Sequence, residues 1–307
     1  MRQRGVALIL AVVMVALATV MATRIASHTA LDVRRTTGLA ALDQAWEVAL
    51  GAEAWAAQIL LEDSQQGGKD HPGEAWAMPL PPLPIDGGEV EGRLEDMQGR
   101  FNINNLVTAE GKVNEAGVAQ FESLLDALGL ERRWARIAAD WLDADTIAGV
   151  PEGAEDGVYL SQQPPYRAAN GPVTSTSELM ALPGFTLENF RKLRPFVAAL
   201  PVGTRINVCS APPQLLAALA EGGSVFGNAE SLERNRRDGC FPTLDDLRAS
   251  LGDAEYQKVQ ATVSDNSNWF RAVTTVRIGT SELTLYSLLE RNSAGLTRPS
   301  QRSVGTE

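Results

Sequence analysis

A short acidic stretch contains the residues of this chain that are best suited to chemistry. Between Arg136 and Arg167 the sequence has six carboxylates and no lysine or arginine. They are Asp140, Asp143, Asp145, Glu152, Glu155 and Asp156. Crowded carboxylates repel one another, and a hard cation such as calcium, which takes about six to eight oxygen ligands, removes that repulsion. The spacing of Asp143 and Asp145 is typical of calcium loops, but the EF-hand pattern is absent, so a solvated acidic loop without metal is the alternative.

The two cysteines, Cys209 and Cys240, are the next candidates. In an oxidising compartment they would close a loop of about thirty residues and stabilise the fold by roughly 3–4 kcal/mol. Two buried free thiols are the alternative. His28 and His71 lie far from both cysteines in sequence, which disfavours zinc. We predict no catalytic residues, because the histidines are far apart and a Gly-x-Ser-x-Gly elbow is absent.

Residues 176–195 predict a helix-hairpin-helix around the turn Leu182-Pro183-Gly184. Such a unit often binds DNA phosphates through backbone amides, so a membrane-anchored DNA receptor is an alternative function. The chain has a formal net charge of -11, however, and an acidic surface repels nucleic acid. We therefore expect a structural role for the hairpin and no nucleic-acid partner.

A long N-terminal helix must position these residues relative to a membrane. Two arginines in residues 1–5 precede an uncharged run over residues 6–23, and residues 6–63 contain no proline. Apolar residues recur beyond the run at three- and four-residue steps, which is typical of a helix. We predict one helix over residues 6–63 whose first part, 6–23, spans a membrane with a cytoplasmic N terminus. The residues before Arg24 match the cleavage site of a secretory signal poorly.

The order of a basic leader ending in glycine, an apolar helical half and an amphipathic helical half resembles the N terminus of type IV pilins and type II secretion pseudopilins. The resemblance implies that a prepilin peptidase cuts after Gly5 and methylates the new N terminus at Val6. Most of that family has glutamate at the fifth residue after the cut, where this chain has Leu10. The missing carboxylate is a feature of the minor pseudopilin family called protein K.

Two further segments resemble the type II secretion protein K family. They are Asp96-Met-Gln-Gly-Arg-Phe-Asn-Ile-Asn-Asn-Leu106 and the acidic segment 140–170. The resemblance covers nearly the full length and implies a calcium site. Its implied ligands are Asp143, Asp145, Glu155 and Asp156, with Glu152 as a further candidate.

The same resemblance implies a function that is architectural rather than enzymatic. A protein of this family is expected at the tip of the periplasmic pseudopilus, which is needed for protein export across the outer membrane. The implied partners are the minor pseudopilins of the I and J types and the prepilin peptidase. The implied location is the inner membrane, crossed once, with a cytoplasmic N terminus and a periplasmic head.

The expected fold is α+β, with a pilin-like long N-terminal helix packed on a small antiparallel sheet. We predict a large inserted α-helical domain, for which the resemblance implies two SAM-like modules of the helix-hairpin-helix type. Apolar and polar residues alternate on both sides of Gly279-Thr280, which predicts a β-hairpin. Glycines and prolines within residues 64–88 predict an extended path without regular structure. The predicted parts are a leader at 1–5, the helix at 6–63, a linker with the first strands at 64–105, the inserted domain at 106–262, the hairpin at 263–291 and a disordered tail at 292–307.

Overall fold

The computed structural model describes residues 4–219, 226, 229–237 and 239–306 of this 307-residue chain. The first three residues of the predicted leader therefore lie outside the described residues. The helices are α1 Arg4–Gln66, α2 Glu115–Ala127, α3 Arg133–Leu142, α4 Asp156–Tyr159, α5 Leu187–Leu193, α6 Pro213–Ala218, α7 Ala229–Asn235, α8 Leu244–Leu251 and α9 Asp253–Val259. The strands are β1 Leu80–Ile85, β2 Gly88–Asp96, β3 Phe101–Asn102, β4 Val197–Ala198, β5 Ile206–Asn207, β6 Val263–Ser264, β7 Trp269–Ile278, β8 Ser281–Arg291 and β9 Thr297–Val304.

Helix α1 is continuous, as the sequence predicts. All its residues from Val6 to Thr37 are exposed, and this part is long and apolar enough to cross a membrane, which makes it a candidate anchor. Beyond it, one face of α1 packs against a sheet through small side chains, including Ala45, Ala49 and Ala56, which are nearly or fully buried. Alanine lets the helix axis approach the strands closely without losing helix propensity.

The sheet has five strands in the order β1-β2-β7-β8-β9, and all neighbours are antiparallel. The hairpin β7–β8 pairs over its full length, from Trp269–Glu290 to Ile278–Ser281, which confirms the strand pattern around Gly279. The face towards α1 is apolar and includes Val276, Leu285 and Leu289. The fold is therefore the predicted pilin-like arrangement of a long helix on an antiparallel sheet.

The proline-rich segment before Gly88 does form regular structure, so the prediction of an irregular path over residues 64–88 is wrong there. Residues Leu80–Ile85 are the edge strand β1, which pairs with β2 and is interrupted by an irregularity between Leu80 and Leu83. An edge strand pairs along one side only, so the missing N–H groups of Pro81, Pro82 and Pro84 are tolerated. The same prolines leave few free donors to attract another strand.

The prediction of a disordered tail over residues 292–307 is also wrong. Residues Thr297–Val304 form β9 at the other edge of the sheet. The guanidinium of Arg302 holds β9 in place, a role that the polar sequence of this strand does not indicate. Its Nη2 and Nε atoms lie 2.7 and 2.8 Å from the two oxygens of Glu53, a buried residue of α1 that also accepts a bond from the Ser287 hydroxyl. Burial alone would raise the pKa of Glu53, but the Arg302 and Ser287 bonds outweigh it and lower that pKa.

The helical domain is inserted between β2 and β7, as predicted. It holds one large apolar cluster and two short parallel strand pairs, β3–β4 and β5–β6. Both pairs begin at an arginine, apolar, asparagine sequence, at Arg100 and at Arg205. In each case the side-chain oxygen of the asparagine accepts a hydrogen bond from the backbone N–H two residues further along the chain. Asn104 N donates to Asn102 Oδ1, and Cys209 N donates to Asn207 Oδ1. The two halves of the domain thus open with the same local structure.

A buried polar junction joins the inserted domain to the sheet and to the end of α1. The carboxylate of Asp96, the last residue of β2, accepts bonds from the side chains of Asn207, Ser210 and Ser267. Next to it, Arg291 at the end of β8 binds Asp70 at 2.5 and 2.6 Å. Arg291 also donates to Asp63 of α1, and to the Ser267 carbonyl at 2.6 Å. These groups fix the inserted domain relative to the sheet, and we call them the junction.

We predict that Arg302→Ala releases β9 and lowers the free energy of unfolding by about 1–3 kcal/mol, because Glu53 would keep a buried charge with only the Ser287 hydroxyl as a donor. The measurement is thermal unfolding of the detergent-solubilised chain together with limited proteolysis after residue 292. Arg298→Ala, at an exposed position of the same strand, is the control and should change neither. Equal protease resistance of the Arg302→Ala variant and the wild type would contradict the anchoring role.

We also predict an acid-sensitive contribution from Glu95 on β2. Burial would raise the pKa of this carboxyl, but the guanidiniums of Arg271 and Arg100 lower it to about 2. Because the folded-state pKa is depressed, Glu95 stabilises the fold above its unfolded pKa of about 4.5, and this stability is lost as the pH falls towards 2.

Glu95→Gln should therefore cost about 2–3 kcal/mol at pH 7 and flatten the loss of stability between about pH 5 and pH 2. Denaturant unfolding across this pH range is the measurement. Glu89→Gln, which weakens an exposed pair with Arg277 on the same strand, is the control and should leave the profile unchanged. A Glu95→Gln profile parallel to that of the wild type would show that Glu95 is not the titrating group.

Candidate metal centre

Three of the carboxylates predicted from the acidic stretch meet in space. Each of Asp143, Asp145 and Glu155 places an oxygen within 4.8 Å of the others. Asp143 and Glu155 are buried, with 2% and 6% of their surface exposed, whereas Asp145 is exposed. The arrangement is a half-buried acidic group that opens to solvent on one side.

Two helix ends bring these carboxylates together. The apolar face of α3 (Trp134, Ile137, Ala138 and Trp141) is buried. The helix ends at Leu142, and the N–H of the next residue, Asp143, still donates to the Ala139 carbonyl at 2.9 Å. Glu155 immediately precedes α4, where the rings of Trp141 and Tyr159 pack with centroids 4.9 Å apart. The aromatic contact holds the end of α3 beside the start of α4 and so places Asp143 near Glu155.

Asp140 closes the loop between these helix ends. Its Oδ2 atom accepts bonds from Gly149 N at 2.8 Å and from Ala154 N at 2.9 Å. Within that turn Gly153 N donates to Gly149 O at 2.8 Å. A Cβ on Gly153 would lie 2.2 Å from Asp140 Oδ2, so only glycine fits. The loop is thus wrapped tightly around the side chain of Asp140.

The electrostatics of this group are unfavourable without a cation. Burial, and next the negative charge of Asp145, raise the pKa of Asp143 to about 6. Burial, followed by the charges of Asp143 and Asp140, raises the pKa of Glu155 to about 7. Among the described residues, Asp143 Oδ1, both oxygens of Glu155, Asp140 Oδ1 and Asn170 Oδ1 are buried without a hydrogen-bond partner. Buried polar atoms in proteins are nearly always paired, so this concentration of unpaired oxygens requires an explanation.

A calcium ion fits these residues. The unpaired side-chain atoms of Asp140, Asp143, Glu155 and Asn170 are oxygens, which are the donors that calcium prefers. Asp143, Asp145 and Glu155 are predicted from the sequence as metal ligands, and the structure brings them together. Asp140 and Asn170 are not predicted as ligands, although both lie in the same segment, because their role depends on which way each side chain points.

The other two predicted ligands lie outside this three-carboxylate group. Glu152 is exposed and has a φ of 69°, at the outer side of the loop. Asp156 accepts a bond from Ala168 N at 3.1 Å, and Arg167 lies 3.8 Å from its other oxygen. Asp156 therefore already has donors of its own, and its charge adds to the field that raises the pKa of Glu155.

A second acidic group is of a different kind. Asp63, Asp70 and Glu74 also lie close together, but Arg291 of the junction binds Asp63 and Asp70 directly. The carboxylate of Glu74 accepts from His71 N and from the Trp76 indole, each at 2.8 Å. These carboxylates already have cationic or N–H donors, so the group is an ion-pair network.

The remaining predicted positions have clear structural roles. Cys209 and Cys240 form the predicted disulfide. In the turn at Leu182–Gly184, Leu182 is 2% exposed and belongs to the apolar core of the domain, whereas Gly184 is exposed. The buried leucine and the net charge of -11 favour a structural role for the hairpin over DNA binding. Leu10 is exposed on the apolar part of α1.

Comparisons with known proteins agree with this fold. Residues 99–202 match the family model described as type II secretion system protein K. The chain is 36% identical to the type II secretion system protein K of Pseudomonas aeruginosa, over 99% of this chain and 93% of that protein. It is 33% identical to the protein of the same name from Pectobacterium carotovorum, over 94% of this chain and 92% of that one.

A solved structure shares the fold. It is the crystal structure of the GspK–GspI–GspJ complex of the type 2 secretion system from enterotoxigenic Escherichia coli. The similarity has a TM-score of 0.79 at 24% sequence identity and covers 89% of this chain and 100% of the matched chain. The long helix, the sheet and the inserted helical domain thus form a fold already seen in an experimental structure.

Proposed function

Because this chain belongs to the type II secretion system protein K family, we propose that it is the tip subunit of a periplasmic pseudopilus needed for protein export across the outer membrane. It is a minor pseudopilin of that system. The observation that carries the proposal is the similarity over 99% of the chain, from the anchor helix to the head. The function is architectural, and we assign no enzymatic role.

Two features of the chain support a position at the tip. Leu10 stands where most pilins carry a glutamate that pairs with the N-terminal amine of a neighbouring subunit, so this chain lacks one docking charge. The helical domain inserted between Asp96 and Trp269 adds more than half of the chain to the pilin-like core. A head of this size leaves little room for another subunit stacked above it.

The proposed partners are the minor pseudopilins of the I and J types. The solved complex that shares the fold contains proteins called GspI and GspJ beside GspK. In this chain the exposed apolar side chains of α1 continue beyond the anchor, at Leu31, Val33, Leu39, Leu42 and Trp55. Exposed apolar side chains on a helix are suited to pack against the helices of similar subunits.

The proposed location is the inner membrane, with a cytoplasmic N terminus and a periplasmic head. Arg2 and Arg4 precede the apolar part of α1, in agreement with a cytoplasmic leader. The disulfide between Cys209 and Cys240 agrees with an oxidising compartment for the head. Prepilin peptidase would then cut after Gly5 and methylate Val6 on the cytoplasmic side.

We further propose that calcium binds to Asp143, Asp145 and Glu155. Asp140 and Asn170 belong to the same segment, have unpaired buried oxygens of their own and would add ligands to this set. Bound there, calcium would neutralise the repulsion between the carboxylates. The chain itself supplies the shape of the site, because the bonds from Gly149 N and Ala154 N to Asp140 close the loop around it.

We predict that co-expression with a prepilin peptidase shortens the chain by residues 1–5 and adds one methyl group at Val6. The measurement is the intact mass of the purified chain with and without the peptidase. Gly5→Leu, which blocks the cleavage position, is the control and should leave the mass unprocessed in both cases. An unchanged wild-type mass, or a cut near residue 22, would contradict the pseudopilin N terminus.

We predict that calcium stabilises the chain in detergent solution by about 2.7 kcal/mol at a hundredfold excess over its dissociation constant. Asp143→Asn should abolish this gain. In a chelator the same variant should be more stable than the wild type by about 1 kcal/mol, because it relieves repulsion between buried carboxylates.

Glu152→Gln is the control for this experiment, since it changes an exposed carboxylate of the same loop that lies outside the three-carboxylate group. It should retain the calcium response. Thermal unfolding with calcium, with magnesium and with chelator is the measurement. A wild-type chain that responds equally to both ions, or to neither, would contradict a calcium site.

A further inference from the structure

Three arginines of the described residues are buried, and one of them differs from the other two. Arg236, Arg271 and Arg291 are each at most 8% exposed. Arg271 pairs with the carboxylate of Glu95, and Arg291 pairs with that of Asp70. Arg236 has no carboxylate partner among the described residues, since its three hydrogen bonds all go to backbone carbonyls. A buried charge without a counter-charge is costly, so this arginine requires an explanation.

The guanidinium of Arg236 is held in a fixed position. Its Nε atom donates to the Phe241 carbonyl at 2.6 Å, and its Nη2 atom donates to the carbonyls of Val208 at 2.9 Å and Ala211 at 2.7 Å. These carbonyls flank the two ends of the disulfide, which holds both sides of the frame together. Carbonyl oxygens satisfy N–H groups but carry no formal charge, and burial alone lowers the pKa of Arg236 to about 10. The Nη1 atom makes no hydrogen bond with the described residues and is left for an anionic group.

Arg236 lines an apolar groove between the linker that follows α1 and the inserted domain. The groove has a volume of about 630 Å³, and we call it the Arg236 groove. Its apolar walls are Pro72, Met78, Phe196, Pro212, Pro213 and Leu232. The linker lies directly on the domain at one end, because a Cβ on Gly73 would lie 2.7 Å and 2.8 Å from the carbonyl oxygens of Arg237 and Arg236. The groove is therefore built by close packing of two separate segments.

The charges of the groove indicate the chemistry of its occupant. The charged residues that line it are Arg236, Arg237 and Glu233, two positive and one negative, on a chain with a net charge of -11. A guanidinium beside apolar walls is complementary to a carboxylate that lies between apolar side chains. Pro72 and the 68% exposed Met78 leave one side of the groove open. Sites for small molecules enclose most of their ligand, whereas an open groove suits an extended peptide.

The position of the groove disfavours a lipid. From Arg24 to Gln66, helix α1 extends about 60 Å beyond the predicted membrane-spanning part. Pro72 follows the end of this helix by six residues, which can return the chain by roughly 20 Å at most. The groove thus lies far beyond the headgroups of the anchoring membrane. Its occupant comes from the compartment of the head.

We propose that the Arg236 groove binds a segment of a partner protein in which a glutamate or an aspartate lies between apolar residues. The carboxylate accepts hydrogen bonds from Nη1 of Arg236 and supplies the missing counter-charge. The neighbouring apolar side chains pack against Met78, Phe196 and Leu232. The groove is formed by residues other than those of the candidate calcium site, and the proposal does not depend on a position of the chain at the pseudopilus tip.

The test uses two capped tripeptides as probes, leucine-glutamate-leucine and leucine-glutamine-leucine. Each is titrated by calorimetry into the full chain in detergent solution. The wild type should bind the glutamate peptide about tenfold more tightly or better, because a hydrogen bond between two charged groups is stronger than one to a neutral amide. Arg236→Gln should bind both peptides with the lower affinity.

A second variant keeps Arg236 in place, because the loss of three carbonyl bonds in Arg236→Gln can unfold this part of the domain. Met78→Glu sets a tethered carboxylate in the groove and should remove the preference for the glutamate peptide. Met180→Glu is the matched control, since Met180 is an exposed methionine that does not line the groove. It should keep the tenfold preference. Thermal unfolding of each variant shows whether it is folded as the wild type is.

Equal affinity of the wild type for the two peptides would overturn the proposal. So would a preference that persists in folded Met78→Glu, or one that is lost equally in Met78→Glu and Met180→Glu, which would indicate a general effect of charge. Sodium hexanoate that binds as tightly as the glutamate peptide would assign the groove to small carboxylates instead. Binding of the chain to phosphatidylglycerol vesicles that Met78→Glu abolishes would assign it to a lipid, and either result would contradict a peptide site.

Discussion

The fold depends on the buried carboxylate of Asp96. This residue ends β2, where the chain leaves the sheet, and its partners Asn207 and Ser210 belong to the second half of the inserted domain. Ser267 belongs to the segment that returns to β7. Burial raises the pKa of Asp96, so the charged group is tolerated only where several donors converge on it. One side chain thus fixes the point at which the chain departs, the point at which it returns and the domain between them.

The same chain shows what happens to buried carboxylates that lack donors. The carboxylate of Asp70 accepts hydrogen bonds from the Arg291 guanidinium and from Ser267 N. Asp143 and Glu155, in contrast, have buried oxygens without a hydrogen-bond partner among the described residues. In the first arrangement the donors offset part of the cost of burial, although burial still raises the pKa of Asp70. The second costs free energy unless a cation completes it, because desolvation and mutual repulsion both oppose ionisation. This contrast inside a single protein is the physical reason for proposing calcium in the acidic loop rather than at the Asp63, Asp70 and Glu74 group.

The sequence is sufficient for the parts of this fold that depend on local patterns. The proline-free run from Val6 predicts α1, and the alternation around Gly279 predicts β7 and β8. Local sequence patterns do not predict β1 and β9, because a strand rich in proline or in polar residues is stabilised by its position at the edge of the sheet. The bond from Arg302 to Glu53 spans most of the chain and leaves no local signal. For the same reason composition suggests the acidic loop, but only the folded backbone shows that Asp140 closes it.

The connection between α1 and the head has a mechanical consequence. Arg291 binds Asp63 near the end of α1, Asp70 just after it and the carbonyl of Ser267 at the exit of the inserted domain. The close packing of Ala45 and Ala49 on the sheet adds a second, apolar attachment along the helix. Displacing α1 along its axis without the head would break several buried charged bonds together, and each of these is costly to leave unmade. Motion of the helix is therefore transmitted to the head as a rigid displacement, which is the coupling that the proposed position at the tip of a filament requires.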